Sequence, residues 1–312
     1  MRVLHVDENH STLPDGLKAL GIENDFDYNA PKAEIMQKIH SYHGLVIRSR
    51  FPIDAPFMDA ATGLKFIARV GSGLENIDTD YAQSKGIYVI SAPEGNSNAV
   101  AEHAMGMLLT LFNKLIVVHR ELQDGMWKRE PNRGEELEGK TIGLIGYGNT
   151  GRAFARKLQG FEVEVLCCDI RPNVGDSFAR QVSLETLQKE ADIISLHVPE
   201  TPLTTAMIDS DFINKMAKPF WLINTARGKN VVTKDLIDGL EKGKVLGACL
   251  DVLEYEKSSF EQAEFTQKEL TYLLSSDKVI MSPHIAGWSH QSKVKLAQTI
   301  VDKVQKIFFD RV

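Results

Sequence analysis

The sequence predicts an α/β protein with two doubly wound parallel sheets, of the Rossmann or flavodoxin-like type. Apolar runs of strand length alternate with helix-like stretches along almost the whole chain, as in parallel sheets with helices on both faces. A glycine-rich loop at residues 146–151 follows one such run, although a loop of this type normally opens its domain. The 312 residues are enough for two hydrophobic cores. We therefore expect the residues before the loop to form a domain of their own.

The front of the chain carries four short apolar runs that we interpret as strands. They lie at residues 3–6, 44–47, 64–70 and 86–90, with helix-like stretches at 13–20 and 33–40. The first helix should stop at Gly21, because glycine readily adopts the backbone conformation that ends a helix. A long helix from Asn98 to about Glu121, which contains no proline, would join this unit to the rest of the chain.

A second alternation of strands and helices begins at Lys140. Its strands are predicted at residues 141–145, 163–168, 192–198, 220–224, 245–251 and 278–282. Thr233 is a candidate N-cap for a helix that ends near Gly243. The charged stretch from Glu254 to Glu269 is predicted to be a loop or a short helix, and residues 289–309 to be one final helix.

The composition is that of an ordinary globular protein and excludes several function classes. Hydrophobic residues make up 43% of the chain, and the net charge of −6 argues against a nucleic-acid-binding protein. The N-terminus lacks the apolar core of a signal peptide, and the longest apolar helix candidate contains Glu102 and His103. We therefore expect a cytoplasmic protein with no membrane partner. The cysteines show no Cys-x-x-Cys spacing, so we expect neither a metal site nor disulfides.

The loop at residues 146–151 predicts a dinucleotide site. It lies between an apolar strand and a helix-like stretch, and an acid, Asp169, follows the next apolar run. Gly146 permits a tight turn, Gly148 lets the backbone approach a pyrophosphate, and Gly151 lets the helix pack close to the strand. Glycines also cluster in plain turns, but the order of strand, loop, helix, strand and acid favours the dinucleotide.

Asp169 and Arg171 bear on the choice of dinucleotide. The carboxylate of Asp169 should accept hydrogen bonds from the adenosine ribose hydroxyls and repel a 2′-phosphate, which favours NAD. Arg171 lies two residues further on and could instead hold that phosphate, which would favour NADP. Because of the position of the acid we expect NAD. Asp169 could also be no more than a turn residue before Pro172.

Three polar residues follow predicted strands of the second unit. Arg227, Glu256 and His284 come after the runs at 220–224, 245–251 and 278–282. Because ligands bind at the carboxyl ends of the strands in an open parallel sheet, all three should lie at the edge that holds the cofactor.

The types of these three residues suit one reaction. An arginine can bind a carboxylate bidentately, a histidine can exchange a proton near neutral pH, and a carboxylate can orient the imidazole. Together they fit hydride transfer between a nicotinamide and a 2-oxo or 2-hydroxy acid. Each residue taken alone is more often a surface or structural group.

With these residues in place, the chain resembles the D-isomer-specific 2-hydroxyacid dehydrogenases, and most of all their D-3-phosphoglycerate dehydrogenase branch. The resemblance covers nearly the whole chain. It rests on residues 48–50, 69–78, 92–97, 100–103 and 191–199, the glycine loop, and the segments around Arg227, Glu256 and His284.

The resemblance implies a substrate-binding domain at residues 1–98 and 288–312 and an NAD-binding Rossmann domain at residues 99–287, with the active site in the cleft between them. It implies that Arg227 binds the substrate carboxylate and carbonyl, that His284 is the acid–base group and that Glu256 supports His284. A homodimer formed through the helix from Asn98 is also implied, although the apolar spacing of that helix could equally serve an internal core. A C-terminal regulatory domain, which some relatives carry, is not expected.

The resemblance also assigns contacts to the cofactor and the substrate. The residues implied for NAD are Gly146, Tyr147, Gly148, Asn149, Thr150, Gly151, Asp169, His197, Pro199, Ala226, Asp251 and Gly287. Those implied for a small 2-hydroxy or 2-oxo acid are Arg48, Ser72, Gly73, Arg227 and His284. Asp251 resembles a residue that contacts the nicotinamide carboxamide, and the backbone at Ser72 and Gly73 would offer N–H groups to the substrate carboxylate.

Three functions are compatible with this reading. The expected substrates are D-3-phosphoglycerate and 3-phosphohydroxypyruvate, with Arg48, Arg50 and Arg69 as candidate cations for the phosphate, unless they only pair with surface acids. The same site would serve a glyoxylate or hydroxypyruvate reductase. A function of another class is an NAD-sensing protein-interaction module that resembles the C-terminal-binding corepressors, against which the lack of a long disordered tail argues.

Overall fold

The computed structural model describes residues 1–256 and 267–310, which form two compact units. The first unit contains residues 1–97 and 288–310. Its sheet has five parallel strands: β1 (Arg2–His5), β2 (Glu23–Phe26), β3 (Gly44–Ile47), β4 (Phe66–Arg69) and β5 (Tyr88–Ser91). Their order in the sheet is β2-β1-β3-β4-β5, which is the flavodoxin-like order.

Helices cover both faces of this first sheet. They are α1 (Thr12–Ala19), α2 (Lys32–Lys38), α3 (Ala55–Ala60), α4 (Thr79–Ser84) and the C-terminal helix His290–Phe308. Successive strand residues point to opposite faces, so Val3 joins a core with α1 and the C-terminal helix, while Leu4 joins a core with α2, α3 and α4. Each face of the sheet is therefore buried, as its apolar strand sequences require.

The C-terminal helix belongs to the first unit. A reciprocal capping box starts it, because Ser289 Oγ accepts from the N–H of Ser292 and Ser292 Oγ accepts from the N–H of Ser289, each at 2.9 Å. Ala297 and Ile300 then pack in the same hydrophobic cluster as Leu13 of α1. The two ends of the described chain thus share one core.

The second unit contains residues 98–256 and 267–287. Its parallel strands are β6 (Thr141–Ile145), β7 (Glu164–Cys168), β8 (Arg180–Gln181), β9 (Ile193–Leu196), β10 (Phe220–Asn224), β11 (Val245–Leu250) and β12 (Val279–Met281). The sheet order is β12-β11-β10-β9-β6-β7-β8. The strand order reverses between β6 and β9, where ligands bind in doubly wound folds.

The remaining helices lie between β5 and β12 in the sequence. They are α5 (Pro93–Phe112), α6 (Leu115–Gln123), α7 (Asn149–Leu158), α8 (Leu184–Glu190), α9 (Ser210–Lys215), α10 (Thr233–Glu241) and α11 (Gln267–Ser275), and the C-terminal helix is α12. Leu144 of β6 packs in one core with α5 and α7, and Ile145 packs in another with α8, α9 and α10.

The two-sheet α/β fold predicted from the sequence is confirmed, but two strands escaped prediction. β2 has the sequence Glu-Asn-Asp-Phe and lies at the edge of its sheet, so it lacks the apolar pattern of a buried strand. β8 is an edge strand of two residues. Short polar edge strands carry little hydrophobic signal, since much of their surface faces water.

The prediction of one long helix from Asn98 to Glu121 was wrong. The chain forms α5 and α6, bent by 56° at a short break. The side-chain amide of Asn113 donates to the carbonyl of Leu109 at 3.0 Å, and Lys114 adopts a left-handed conformation with φ of 51°. Local hydrogen bonding therefore ends α5 without any proline.

No single helix in the described parts of the chain is long and apolar enough to cross a membrane; only the bent pair α5–α6 passes by length and composition.

The N-cap assigned to Thr233 was also wrong. Val232 is the N-cap of α10, and the backbone N–H of Thr233 donates to Glu254 Oε2 at 2.9 Å. A carboxylate from a distant loop thus takes the place of a local cap.

The charged stretch from Glu254 to Glu269 was expected to be a loop or a short helix. Most of it, residues 257–266, lies outside the described residues.

Candidate active site

The glycine loop links β6 to α7 and needs glycine at two positions for steric reasons. Gly146 has φ of 91°, and a Cβ there would lie 2.4 Å from the carbonyl oxygen of His197. At Gly151 a Cβ would lie 2.4 Å from the carbonyl oxygen of Gly146, so a larger residue would push α7 away. These positions show the tight turn and the close approach of helix to strand that the spacing predicts.

The start of α7 has the groups that a dinucleotide phosphate needs. A Cβ at Gly148 would meet no described protein atom within 4 Å. Packing does not require glycine there, whereas a backbone that a ligand must approach does. The N–H groups of Asn149 and Thr150 are in the first turn, which offers no partner within the helix and lies at its positive end. These residues fit the pyrophosphate of a dinucleotide.

Asp169 lies directly beyond β7, and its carboxylate is held by the loop and by Arg171. Oδ2 accepts from the N–H of Tyr147 at 2.8 Å and from Arg171 Nη2 at 3.0 Å. Oδ1 accepts from the N–H of Arg171 at 2.9 Å and from its Nε at 3.0 Å. The side-chain hydrogen bonds of Arg171 lower the pKa of Asp169 to about 2. The group is therefore ionised at neutral pH, which suits the hydroxyls of an adenosine ribose.

Tyr147 anchors the loop to the interior of the unit. Its side chain is fully buried, and its hydroxyl donates to Asp176 Oδ1 at 2.6 Å. Burial and this hydrogen bond raise the pKa of Tyr147 far above its usual range, so the phenol stays neutral. Among the described residues, Tyr147 therefore contributes to the site through its backbone N–H, which donates a hydrogen bond to Asp169.

His197 supports the loop from the end of β9. Its N–H donates to the carbonyl of Ile145 at 2.7 Å, and its Nε2 lies 3.0 Å from Ser195 Oγ. Burial lowers the pKa of His197 to about 3, so the ring is neutral near neutral pH. Its Nδ1 is buried without a hydrogen-bond partner among the described residues. Further along this loop, the carbonyl of Pro199 accepts from Thr204 Oγ1 at 2.6 Å.

Arg227 lies in the loop after β10, which two buried asparagines hold. Asn224 Nδ2 donates to the carbonyl of Arg227 at 2.9 Å, and Asn230 Oδ1 accepts from the N–H of Arg227 at 3.1 Å. Arg227 Nη1 donates to the carbonyl of Ala226 at 2.6 Å. The hydroxyl of Thr225 is buried and has no hydrogen-bond partner in the described part of the chain. Side-chain hydrogen bonds thus set the conformation of this loop.

A close backbone contact joins the loop of Arg227 to the loop of Glu256. A Cβ at Gly228 would lie 1.8 Å from the carbonyl oxygen of Leu253, so a side chain at this position would force the loops apart. The N–H of Leu253 donates in turn to Glu256 Oε1. The loops after the neighbouring strands β10 and β11 therefore lie side by side.

His284 and Glu256 form a hydrogen-bonded pair. His284 Nδ1 lies 2.6 Å from Glu256 Oε2, and their side chains are 26% and 15% exposed. His284 has φ of 56°, a strained conformation for a residue with a Cβ, and its N–H donates to the carbonyl of Asp251 at 2.7 Å. A partly exposed imidazole oriented by a carboxylate is suited to general acid–base chemistry.

Asp251 holds the backbone beyond His284. Its buried carboxylate accepts from Ser282 Oγ at 2.6 Å and from the N–H groups of the two residues after His284, each at 2.8 Å. Ser282 Oγ lies 2.8 Å from His103 Nε2. A chain of hydrogen bonds from α5 to the end of β12 therefore supports the strained residue.

Two arginines after β3 in the first unit have different surroundings. The guanidinium carbon of Arg48 lies 4.5 Å from the ring centroid of Trp288, which stabilises the cation over an aromatic face. Arg50 instead donates to backbone carbonyls, to Val6 at 2.8 Å, to Asp27 at 2.7 Å and also to Ala30. Arg50 is thus engaged inside the unit, which does not suit the role of a phosphate cation considered for it.

Ser72 and Gly73 lie in the loop after β4. Ser72 Oγ donates to Asn96 Oδ1 at 2.7 Å. Before them, Arg69 folds back on the loop, since a Cβ at Gly71 would lie 1.4 Å from Arg69 Nη1. Gly287, expected among the cofactor residues, lies in the second unit beyond His284.

Four residues of this arrangement were missed by sequence reasoning: Asn224, Asn230, Ser282 and His103. A polar amide at the end of the apolar run 220–224 was a usable signal, because a buried amide must find partners. The contact of His103 with Ser282 joins residues 179 positions apart and left no local signal.

Comparisons with known proteins fit this geometry. A family model described as the NAD-binding domain of D-isomer-specific 2-hydroxyacid dehydrogenases matches residues 105–286. A hydroxypyruvate reductase of Thermotoga maritima is 37% identical over 275 residues, which cover 88% of this chain and 88% of that protein. A D-3-phosphoglycerate dehydrogenase of Archaeoglobus fulgidus is 32% identical over 309 residues; the match covers 97% of this chain but 56% of that protein.

A solved structure resembles the fold over nearly its whole length. The D-lactate dehydrogenase of Aquifex aeolicus, in complex with NAD and lactic acid, aligns with a TM-score of 0.81 and 29% sequence identity. The alignment covers 98% of this chain and 94% of that one.

Proposed function

Because this chain belongs to the D-isomer-specific 2-hydroxyacid dehydrogenase family, we propose that it interconverts D-3-phosphoglycerate and 3-phosphohydroxypyruvate with NAD. The observation that carries the reaction type is the 2.6 Å pair of His284 and Glu256. This pair lies at the carboxyl ends of parallel strands in the same sheet as the glycine loop and Asp169.

His284 is the proposed acid–base group. NADH, when bound, would supply the hydride for reduction of C2 of the 2-oxo acid. Because Nδ1 bonds to Glu256, Nε2 is the ring nitrogen of His284 that donates the proton to the C2 oxygen. Glu256 is itself fixed by the N–H of Leu253 and therefore orients the ring. In the oxidising direction His284 takes the proton from the C2 hydroxyl.

Arg227 is the proposed ligand of the substrate carboxylate. A guanidinium can bind a carboxylate through two parallel hydrogen bonds and stabilise negative charge on the neighbouring C2 oxygen. Asn224 and Asn230 fix its loop, and the contact of Gly228 with Leu253 fixes the spacing to the loop of Glu256. The charged groups are therefore positioned before the reaction, which reduces the cost of reorganisation.

The cofactor roles follow the same sheet edge. We propose that residues 146–151 hold the pyrophosphate, that Asp169 binds the adenosine ribose, and that Ala226, Asp251 and Gly287 lie toward the nicotinamide. His197 and Pro199 support these loops. The carboxylate of Asp251 is engaged with Ser282 and with backbone N–H groups, so we also assign it the positioning of His284.

Arg48 and the loop of Ser72 and Gly73 are the proposed substrate ligands of the first unit. Arg48 is stacked on Trp288, so less side-chain freedom is lost when its guanidinium binds a phosphate. The N–H groups of Ser72 and Gly73 are proposed donors to the substrate carboxylate.

A second candidate is hydroxypyruvate reduction. It is favoured by the 37% identity to a hydroxypyruvate reductase that matches this chain over 88% of both sequences. Hydroxypyruvate has the same 2-oxo acid group and lacks the phosphate, so the catalytic groups would be unchanged.

A comparison of substrates separates the two candidates. The kcat/KM values for 3-phosphohydroxypyruvate, hydroxypyruvate and glyoxylate should be measured with NADH on the wild type, on Arg48→Ala and on the exposed-site control Arg133→Ala. If Arg48 binds phosphate, its removal lowers kcat/KM for the phosphorylated acid by about ten- to a hundredfold, the value of a charged hydrogen bond. It should leave the two smaller acids nearly unchanged. A wild type that prefers hydroxypyruvate would establish the reductase instead.

We further propose that the protein is a homodimer. Large apolar side chains are exposed on and after α6: Leu115, Ile116, Leu122, Met126 and Trp127, the last at 80%. Exposed apolar groups clustered along one segment are typical of a subunit interface. Light scattering after size exclusion should show a dimer in the wild type, a monomer for Trp127→Glu with Leu122→Glu, and a dimer for the control Leu203→Glu. A monomeric wild type would contradict the proposal.

The proposed location is the cytoplasm. All three cysteines are free, and Cys167 and Cys249 are buried, which suits a reducing compartment. Cell fractionation with a tagged protein tests the location, and recovery in a secreted fraction would refute it.

A further inference from the structure

The carboxylate of Asp169 has its hydrogen-bonding capacity fully occupied. A carboxylate offers about four acceptor positions, two on each oxygen. Four donors occupy them: the N–H of Tyr147 and Nη2 of Arg171 on Oδ2, and the N–H and Nε of Arg171 on Oδ1. A ribose that donates its hydroxyls to this carboxylate must therefore displace donors that are already there.

The guanidinium of Arg171 is the donor that can leave. The N–H of Tyr147 is fixed by the buried ring and the turn at Gly146. The backbone of Arg171 is fixed as well, because its carbonyl accepts from Gln181 Nε2 at 2.8 Å and Pro172 follows it. The side chain of Arg171, in contrast, is 59% exposed, so its guanidinium can turn into solvent, whereas the Asp169 side chain, at 8% exposed, stays in place.

We propose that Arg171 is a specificity-determining residue that covers the ribose-binding carboxylate of Asp169 and must be displaced when the dinucleotide binds. Displacement leaves two backbone donors on Asp169 and opens the positions now taken by Nε and Nη2. The freed guanidinium stays tethered two residues from Asp169, next to the ribose 2′ position. With NADH it gains little there, whereas with NADPH it faces the 2′-phosphate. Arg171 thus weakens NADH binding and moderates the rejection of NADPH. The inference rests on the proposed role of Asp169 as ribose ligand.

The test is direct binding of the reduced cofactors, followed by their fluorescence, without any substrate. For Arg171→Ala we expect NADH to bind about two- to fivefold more tightly, since the partly exposed guanidinium no longer has to be displaced from Asp169. NADPH should bind about tenfold more weakly, because a charged hydrogen-bond donor to the phosphate is lost. Arg180 is the matched control: it also lies in the second unit and pairs with acids on its surface, and Arg180→Ala should change neither affinity.

A double-mutant cycle separates this inference from the proposed function. Asp169→Ala should weaken NADH binding, and Arg171→Ala added to it should no longer tighten NADH. If Asp169→Ala leaves NADH affinity unchanged, Asp169 is not the ribose ligand, and the proposed cofactor role fails together with the inference. If Asp169→Ala weakens NADH but Arg171→Ala alone leaves it unchanged or weaker, the cofactor role stands and Arg171 does not compete for the carboxylate.

Discussion

Both units are doubly wound parallel sheets, yet they use the polar side chains at their strand ends differently. In the first unit, Arg50 donates to three backbone carbonyls, and the carboxylate of Asp7 accepts from the N–H of Arg48. In the second unit, His284 and Glu256 bond to each other and remain partly exposed. The same edge of a similar sheet thus holds a side chain bonded to backbone in one unit and the proposed acid–base pair in the other.

We propose that this difference separates a functional strand end from a structural one. Position alone does not, because Arg50 and His284 both follow parallel strands. What distinguishes them is the bonding partner of the side chain, which is the backbone for Arg50 and another side chain for His284. The following four substitutions or conditions test this distinction, beginning with the largest expected effect.

Replacement of the imidazole should cause the largest loss. His284→Ala should lower kcat by about 10²–10⁴, because the reaction loses its proposed general acid–base group. The melting temperature should change little, since the side chain is partly exposed. Steady-state rates on the best 2-oxo acid measure the effect, with the exposed His10→Ala as control. Near-normal turnover by His284→Ala would show that His284 is not the acid–base group.

Gly228 tests whether the spacing between two loops matters for the chemistry. In Gly228→Ala the new Cβ would overlap the carbonyl of Leu253, so the loops of Arg227 and Glu256 must move apart. A displacement of about 1 Å costs on the order of a hundredfold in rate. We expect that loss in kcat/KM, together with a lower melting temperature. Gly160→Ala, where a Cβ meets no neighbour within 4 Å, is the control. Equal kcat/KM for both variants would show that the loop contact is dispensable.

Arg50 tests the structural use of a strand-end cation. Arg50→Ala leaves carbonyls of the first unit without their donor and should lower the free energy of unfolding by about 2–4 kcal/mol. The affinity for NADH should stay the same, because the second unit is unaffected. Urea titration gives the first quantity and fluorescence the second, and Arg133→Ala, in an exposed ion pair with Glu130, is the comparison. A stable Arg50→Ala protein with weakened substrate binding would reverse the assignment.

The buried His197 should produce the smallest effect, a pH dependence of stability. Its pKa is lowered to about 3 in the folded protein, so below an unfolded value of about 6.5 only the unfolded chain gains a proton. Acid therefore favours unfolding, by about 1.4 kcal/mol per pH unit from this group. The free energy of unfolding, measured by urea titration between pH 7 and pH 5, should fall less steeply with decreasing pH for His197→Gln than for the wild type. Identical slopes would mean that His197 is protonated in the folded state.

Much of the fold could be predicted from sequence because buried parallel strands are continuous apolar runs. Residues 44–47 and 141–145 are examples, and both are strands with the expected bounds. The glycine loop could be predicted as well, because local sterics require glycine at Gly146 and Gly151 and the Gly-x-Gly-x-x-Gly spacing reflects that requirement. Polar residues after such runs pointed to the sheet edge, where the structure places Arg227, Glu256 and His284.

Several features that escaped prediction depend on partners far away in the sequence. Thr233 looked like a helix cap, but Glu254 supplies the acceptor from another loop. Nothing local indicates that His103 bonds to Ser282, or that Gly228 touches Leu253. The break after α5 depends on one asparagine side chain that bonds back to Leu109, in competition with an otherwise apolar helical pattern.

The shared core of α1 and α12 has a consequence for how the chain is made. Leu13 and Leu17 cluster with Ala297 and Ile300, although the whole second unit lies between them in sequence. Since the ribosome releases residues in order, the strands of the second unit emerge before α12 does. The first unit cannot complete its core until then, and the second unit has time to fold beforehand. Connectivity thus allows the second unit to fold before the first is complete, although the first begins earlier in the chain.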